Sequence, residues 1–350
     1  RLGICGAIHP RDPESGVSPM RAFTFSNYKG SLREADVAEP IVGDHDVLVQ
    51  VQAAGVNQLD EKIRIGEFKQ ILPDKLPLTL GHDVAGTVLR VGAAVRGFRP
   101  GDEVYARPRD HRIGTFAERI AIDEADAAPK PSSISMEQAG SLPLVALTAW
   151  QALVEIGNVQ RGQKVLIHAG AGGVGSIAIQ LAKHLGAEVA TTASAANEAF
   201  VRELGADHLI DYRSEDFEQR LAGYDFVLDS LGGENLEKSL RILRPGGIAV
   251  GISGPPTPEF ARSAGLNPVL RLAIAGLSGK VRKQAKRLGV NYRFLFMRAS
   301  GEHLREISEL VDGGALRPVV GRILQFAEAV QALESLKAGG IRGKVVISNP

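Results

Sequence analysis

Two periods of hydrophobic and polar positions divide the chain. From Met20 to about Pro129 the apolar residues fall in short runs, several of them alternating: Val47-Leu48-Val49-Gln50-Val51-Gln52-Ala53, Thr87-Val88-Leu89-Arg90-Val91 and Ala117 to Ile122. Between them lie Val42-Gly43-Asp44, Arg99-Pro100-Gly101-Asp102 and Ile113-Gly114. Alternation bounded by Gly, Pro and Asp predicts strands joined by turns, and so a compact antiparallel β domain. Ser135-Met136-Glu137-Gln138 has the form of a capping box and predicts a helix start. From Lys164 the pattern changes. Lys164-Val165-Leu166-Ile167-His168 is an apolar strand, followed by a Gly-rich turn and an amphipathic stretch to Leu185, ended by Gly186. Further strands are predicted at Val189 to Ala193, His208 to Asp211, Phe226 to Asp229, Ile248 to Ile252 and Tyr292 to Met297, most of them separated by helical stretches. Six strands with crossovers predict a doubly wound parallel sheet of the dinucleotide-binding kind.

After Ala315 short strands return, ending in Lys344-Val345-Val346-Ile347. The expected organisation is therefore an α/β chain in which a nucleotide domain, residues 145–315, is inserted into a β domain made of residues 20–144 and 316–350. Residues 1–19 hold three Pro and three Gly, show no period, and lack the basic and apolar regions of a signal peptide. Met20-Arg21-Ala22-Phe23 reads as a start, and 1–19 is expected to be a disordered extension outside the fold. Residues 255–290, between the last two predicted strands, are too long for a plain turn. From Phe260 to Gly301 there is no acid and there are nine Lys or Arg, five of them within Lys280–Arg287. The ordinary reading is a solvated basic helix flank; the functional one is attraction of a phosphate or a polyanion.

Composition narrows the picture. The 350 residues carry 41 Lys+Arg against 40 Asp+Glu, a net charge of +1, so no global field recruits nucleic acid or an anionic membrane. Forty glycines, well above the ordinary frequency of roughly 7%, suit strand–helix turns and a backbone that closely approaches a ligand. The single cysteine, Cys5, excludes an internal disulfide and a cysteine-based zinc cluster, and points to a reducing compartment, the cytoplasm. The longest apolar stretch, Leu142 to Val154, falls short of the ~20 residues of a membrane span.

Gly170-Ala171-Gly172-Gly173-Val174-Gly175 fits G-x-G-x-x-G between a predicted strand and a predicted helix. The first glycine makes the turn, the second lets backbone N–H groups reach a pyrophosphate, and the third lets helix and strand pack. The helix N-terminus then favours the anion. A purely structural Gly-rich turn is the alternative. After the second strand, Thr191 to Asn197 contain no acid before Glu198. A carboxylate there would bind the ribose of NAD and repel a 2′-phosphate, so this stretch, with Ser194 and Asn197, favours NADPH. Tyr212, Arg213 and Lys344 are further candidate donors; Tyr212 covering a strand end and a solvated Lys344 are the alternatives. His82, in Gly81-His82-Asp83, is the one residue reminiscent of a zinc ligand, but a site needs about three ligands, and the expected metal is none. Without a Lewis acid, a conjugated enone or quinone is a better hydride acceptor than a simple ketone.

These residues, taken in order, resemble the medium-chain dehydrogenase/reductase superfamily, and within it the zinc-independent quinone oxidoreductase and enone (2-alkenal) reductase branch. The resemblance rests on Ala54 to Asp60 (AGVNQLD), Pro77 to Gly86 (PLTLGHDVAG), Phe98 to Val104 (FRPGDEV), Leu142-Pro143-Leu144, Leu147-Thr148-Ala149-Trp150 and Ala169 to Gly175. It continues in Leu204 to Asp207, Asp211-Tyr212 and Leu243 to Gly247, and so covers nearly the whole chain from Met20. It implies a GroES-like β domain beside the nucleotide domain, the cofactor between them, and a homodimer joined through the last parallel strand. Zinc alcohol dehydrogenases of the superfamily have Cys where Asn57 stands and a four-Cys lobe that is missing here. The resemblance places Asn57 against nicotinamide and substrate, Asp60 behind it, Thr148 at the nicotinamide, and Leu231, Ile252 and Phe296 in the cofactor walls. Lys62 stands where plant-type enone reductases also carry Lys, and would stabilise an enolate oxygen; a solvated helix lysine is its alternative, as a hydroxyl bonded to its own helix is for Thr148. Relatives often carry Lys where Ala196 stands, which removes a cation from the 2′-phosphate site.

The expected activity is therefore hydride transfer from NADPH to a quinone or to the β-carbon of an α,β-unsaturated carbonyl. The alternative is an NADPH-binding sensor or scaffold without significant catalysis, using the basic stretch as its partner surface. Arg107–Gly114 and 255–290 are expected to shape the substrate pocket.

Overall fold

The computed structural model of the chain describes residues 19–349. The extension expected over 1–19, and Cys5 with it, lies outside the described residues apart from position 19. Eight strands come first: β1 (Met20–Phe25), β2 (Arg33–Val37), β3 (Asp46–Val56), β4 (Leu78–Thr79), β5 (Val84–Val91), β6 (Glu103–Ala106), β7 (Arg119–Asp123) and β8 (Ala127–Pro129). Six follow at β9 (Lys164–Ile167), β10 (Glu188–Ala193), β11 (His208–Asp211), β12 (Tyr224–Asp229), β13 (Leu243–Gly251) and β14 (Asn291–Phe294), and the last two are β15 (Val320–Gln325) and β16 (Lys344–Ser348).

The first and last groups share one sheet, ordered β15-β16-β3-β5-β6-β8, with β7 also pairing β3. The C-terminal β16 runs antiparallel to β3, Val345 opposite Val56. A small sheet, β2-β1-β4, completes this GroES-like half. β3 is more buried than alternation predicts: Leu48 is buried along with Val47, Val49 and Val51, and only Gln50 is exposed, because β3 lies inside the sheet between β16, β5 and β7.

The middle strands form a six-stranded parallel sheet, β11-β10-β9-β12-β13-β14. Val165, Leu166 and Ile167 of β9 are all buried, because helices cover both faces of a parallel sheet. The strand order reverses between β9 and β12, which opens a crevice at their carboxyl ends. Two strands differ from expectation. β13 begins at Leu243, five residues early, with a register shift against Tyr224 and Phe226 of β12. β14 stops at Phe294; the Leu295 N–H still bonds the Gly251 carbonyl of β13 at 2.9 Å, and Phe296 and Met297 continue beyond the ladder.

The capping box forms as predicted, with reciprocal bonds between Ser135 and Gln138. The long segment after β13 folds as three short helices, Pro258–Ser263, Pro268–Leu277 and Gly279–Leu288. Thr257 and Asn267 cap the first two, each followed by Pro at the first helical position, which is where proline costs a helix least. Helix Pro143–Trp150 runs on into a π-turn over Gln151–Ile156, and the Gln151 amide bonds both the carbonyl and the N–H of Arg298.

His168 closes β9 against its neighbours. It is buried, edge-on to Phe217, with its ring nitrogens 3.1 Å from Thr192 Oγ1 and 2.9 Å from Ser239 Oγ. Burial among neutral partners pushes its pKa down to about 4. The imidazole therefore stays neutral in the folded chain while the unfolded chain protonates near its ordinary value. Its stabilisation is complete above that value and declines as pH falls towards 4. Between pH 7.5 and 5 the native chain should lose about 2 kcal/mol more stability than a His168→Gln variant, at 1.36 kcal/mol per pH unit, as read by urea denaturation at the two pH values. Equal losses would contradict a neutral buried imidazole.

Candidate active site

The carboxyl ends of β9 and β12 face the GroES-like half across a cavity of about 460 Å³. Asn57, Lys62, Phe68 and Arg107 line it from one side; Thr148, the Gly172–Gly175 turn, Ser230, Leu231, Ile252 and Phe296 line it from the other. Lys344, at the start of β16, lies between the two groups and also borders it.

The glycine-rich turn leaves β9 and enters helix Gly173–His184 with Gly172 as N-cap. A Cβ on Gly170 would lie 2.1 Å from Thr191 Oγ1, and one on Gly175 would lie 2.3 Å from the Ala169 carbonyl oxygen. Both positions are closed to any side chain, whereas Gly172 has its nearest neighbour at 3.3 Å. The two outer glycines thus hold strand and helix together, and Gly172 leaves the backbone bare beside a twelve-residue helix N-terminus. A bare backbone at a helix N-terminus has the geometry that suits an anion such as a pyrophosphate. Ala169 adopts a left-handed conformation, φ 53°, to begin the turn. The turn is joined to the C-terminal strand: Gly343 N–H donates to the Ala171 carbonyl at 2.9 Å.

Lys344 occupies the centre of the interface. Its buried ammonium donates to the Val56 carbonyl at 2.9 Å, to Asn57 Oδ1 at 2.5 Å and to Asp83 Oδ2 at 3.1 Å. Asp83 Oδ2 also accepts from Asn57 Nδ2 at 2.9 Å, and Oδ1 accepts from the Leu144 N–H at 2.7 Å. This placement corrects the expectation that Lys344 serves the 2′-phosphate: it sits beside Gly173 and Asn57, at the other end of the turn. It also limits Asn57, whose amide donors go to Asp83 and to the Gly55 carbonyl. Asp60 lies behind, fully buried, accepting from the Asn57 backbone N–H at 2.8 Å and lying 2.6 Å from His82 Nδ1. Asp60 and His82 do not border the cavity. Among the described residues no group of three His, Cys, Asp or Glu side chains is placed to hold a metal. A divalent ion between Asn57 and Asp83 would meet the Lys344 ammonium already bonded there.

At the other end of the turn, Ser194 and Asn197 follow β10, and Asn197 Nδ2 donates to Ser194 Oγ at 3.2 Å. Arg342 completes this corner. Its guanidinium donates to Asn197 Oδ1 at 2.8 Å and to the Ala196 carbonyl at 3.0 Å, and lies 5.4 Å from the Phe200 ring centre. A cation from β16's approach thus stands where the sequence lacks one at Ala196. Only the alternation of Arg342 and Lys344 in one short segment hints at it in the sequence. Tyr212 is exposed at the end of β11, with Arg213 near its ring.

The remaining cavity groups are few. Lys62 sits at the rim, its ammonium 3.3 Å from Glu67 and 5.9 Å from the Phe68 ring centre. The Thr148 hydroxyl donates to the Leu144 carbonyl at 2.7 Å, which leaves its oxygen as an acceptor. Arg107, expected from the sequence to help shape the pocket, and Ser230, not singled out there, join them. Arg107 is fully buried and bonded to Asp110 and the Pro108 carbonyl, and Ser230 follows β12. Arg107 Nε and Ser230 Oγ have no partner among the described residues.

Comparison with known proteins agrees with this geometry. Residues 43–132 match the alcohol dehydrogenase GroES-like domain family, and residues 204–347 match the zinc-binding dehydrogenase family. The chain is 36% identical over 335 residues to the mitochondrial NAD(P)H oxidoreductase RTN4IP1 of Danio rerio, covering 89% of this chain and 86% of that one. It is 33% identical over 341 residues to the chloroplastic NADPH-dependent alkenal/one oxidoreductase of Arabidopsis thaliana, covering 94% and 79%. A quinone oxidoreductase structure from Coxiella burnetii superposes with a TM-score of 0.82 at 34% identity, over 95% of this chain and 99% of that one.

The glycine turn gives a direct check. Gly175→Ala should cost about 1–3 kcal/mol in thermal or urea denaturation, the usual range for overpacking, because its Cβ meets backbone. Gly172→Ala should cost less than about 1 kcal/mol yet weaken dinucleotide binding in a fluorescence titration. Equal stability losses would contradict the assigned division of labour.

Proposed function

The chain belongs to the medium-chain dehydrogenase/reductase superfamily, in its quinone oxidoreductase and enone reductase branch, and from that membership we propose that it reduces quinones or α,β-unsaturated carbonyls with NADPH and without a metal. The observation that carries the metal-free part is the Lys344 ammonium, bonded to Asn57, Asp83 and the Val56 carbonyl. The proposed organisation has residues 20–144 and 316–350 as the catalytic half and 145–315 as the nucleotide half.

When bound, the nicotinamide supplies a hydride. The residues around it bind, orient and polarise. Gly172 and Gly173 present the helix N-terminus to the pyrophosphate. Ser194, Asn197 and Arg342 form a donor-rich corner for a 2′-phosphate, which supports NADPH over NADH. Leu231, Ile252 and Phe296 supply apolar wall. The Thr148 oxygen is an acceptor for an amide N–H. Asn57 is a fixed polar edge, its orientation set by Lys344 and Asp83.

Hydride addition forms a C–H bond at the β-carbon, and the π electrons move to the carbonyl oxygen. That oxygen becomes an enolate until solvent protonates the α-carbon. Lys62 is the mobile cation at the cavity rim and stabilises it, exchanging its contact with Glu67 for the substrate. Arg107 borders the cavity as well, its guanidinium held by Asp110 and the Pro108 carbonyl. A quinone accepts the same two electrons, with the charge delocalised onto its oxygens.

The reading extends to assembly and place. β14 ends the six-stranded sheet, and pairing of two such edges would give the homodimer expected for this branch. A reducing compartment, the cytoplasm, suits a sequence with one cysteine. The two curated relatives described above carry mitochondrial and chloroplastic designations. Among the described residues no helix is long and apolar enough to cross a membrane.

Steady-state oxidation of NADPH and NADH against a panel of enones and quinones tests the reading. Native protein should prefer NADPH, and Arg342→Ala should raise the KM for NADPH about 10- to 100-fold while leaving NADH within about twofold, the loss of one charge-assisted hydrogen bond. Lys62→Met should lower enone kcat at least about tenfold with NADPH affinity retained. No turnover of any acceptor despite tight NADPH binding would overturn the catalytic reading.

A further inference from the structure

Helix Pro268–Leu277 carries an apolar stripe on its outer side. Val269, Leu272 and Leu277 are 77%, 76% and 67% exposed, among the most exposed large hydrophobics of the described chain, and Ala273 and Gly276 lie exposed between them. The spacing i, i+3, i+4, i+7, i+8 puts all five on one helix face. The opposite side is satisfied: Ile274 is buried with Ala261 and Leu266, and Leu270 and Ile71 pack against them. The stripe is therefore a second apolar face, additional to the one that holds the helix in place, and solvated apolar surface of this kind marks an interaction site.

The surroundings of the stripe decide its partner. The following helix, Gly279–Leu288, buries Val281, Gln284 and Ala285 and exposes Lys283, Lys286 and Arg287 on one side. Lys280 pairs with Glu237, Arg262 with Glu259 and Arg298 with Glu155. Arg271, Lys283, Lys286 and Arg287 have no carboxylate partner among the described residues, and the sequence from Phe260 to Gly301 contains no acid to provide one nearby. Aliphatic side chains beside a surplus of unpaired cations describe an interfacial helix on an anionic lipid surface. A second copy fits poorly, because a two-fold contact would set one cationic patch against its equal. A nucleic acid fits poorly as well, because Val and Leu offer no ring for a base to stack on.

We propose that this helix pair docks the protein on anionic membranes, with Val269, Leu272 and Leu277 entering the interface and Arg271, Lys283, Lys286 and Arg287 meeting the headgroups. The inner side of the same segment borders the substrate cavity: Phe260 packs against Phe294 and Phe296, both of which line it. Docking would bring the mouth of the cavity near lipid-dissolved acceptors. The surface does not depend on which acceptor is reduced.

Flotation with phosphatidylcholine vesicles, with and without about 30% phosphatidylglycerol, tests the proposal. The native chain should bind the anionic vesicles at least about tenfold better than the neutral ones, and should lose most of that binding when salt rises from about 50 to about 500 mM. Leu272→Glu/Leu277→Glu and, separately, Lys283→Glu/Lys286→Glu/Arg287→Glu should each abolish binding, with the same melting temperature and the same NADPH oxidation in solution. Absence of native binding to anionic vesicles, or binding unchanged in the Glu variants, overturns the proposal. Sedimentation velocity showing that Leu272→Glu/Leu277→Glu splits an oligomer also overturns it, since the stripe would then join copies of the chain.

Discussion

The structure turns on one buried ammonium. Lys344 begins the last strand, and its side chain is held by the Val56 carbonyl, Asn57 and Asp83. A buried cation is tolerable only when paired and fully hydrogen-bonded, and here each of its three protons has an acceptor. Asp83 in turn accepts from the Leu144 N–H, which starts the helix leading into the nucleotide half. One residue earlier, Gly343 bonds the glycine-rich turn at Ala171. The approach to β16 thus ties the Val56–Asn57 segment, the helix from Pro143 and the glycine-rich turn to one point.

That constraint shapes the chemistry of the cleft. A cation fixed by protein ligands borders the cavity where, on the proposed reading, no metal is needed, and it holds the Asn57 amide in one orientation. In the proposed mechanism reactivity rests on the rim ammonium of Lys62 and on the Thr148 oxygen. On that reading the site offers an isolated ketone no Lewis acid. It suits acceptors that spread charge by conjugation, the class named in the Arabidopsis and Coxiella relatives.

Much of the fold was legible because it is written locally. A strand buried on both faces reads as Val165-Leu166-Ile167, a half-buried one alternates, and G-x-G-x-x-G needs neighbours only a few residues away to be interpreted. The three helices after β13 were harder: each is short, and their clearest mark is the pair Thr257-Pro258 and Asn267-Pro268 rather than any long period. The site was legible in its residue types and less so in its partnerships. Lys344 meets Val56 across 288 positions, and Arg342 meets Asn197 across 145. Such contacts are set by the pairing of β16 with β3 and by its entry past the glycine turn, which no window of sequence contains. The burial of Arg107 is hidden in the sequence for a related reason: it follows from the end of the β5–β6 ladder, not from its own neighbours.

On the proposed reading an ammonium, not a metal, completes this active site. The most direct test is the zinc content of purified protein, measured by inductively coupled plasma mass spectrometry beside its NADPH-dependent turnover after dialysis against EDTA. A metal-free site should hold less than about 0.1 zinc per chain, where a zinc dehydrogenase site would hold one, with turnover unchanged. Stoichiometric zinc, with activity lost on chelation and restored by the ion, would contradict it.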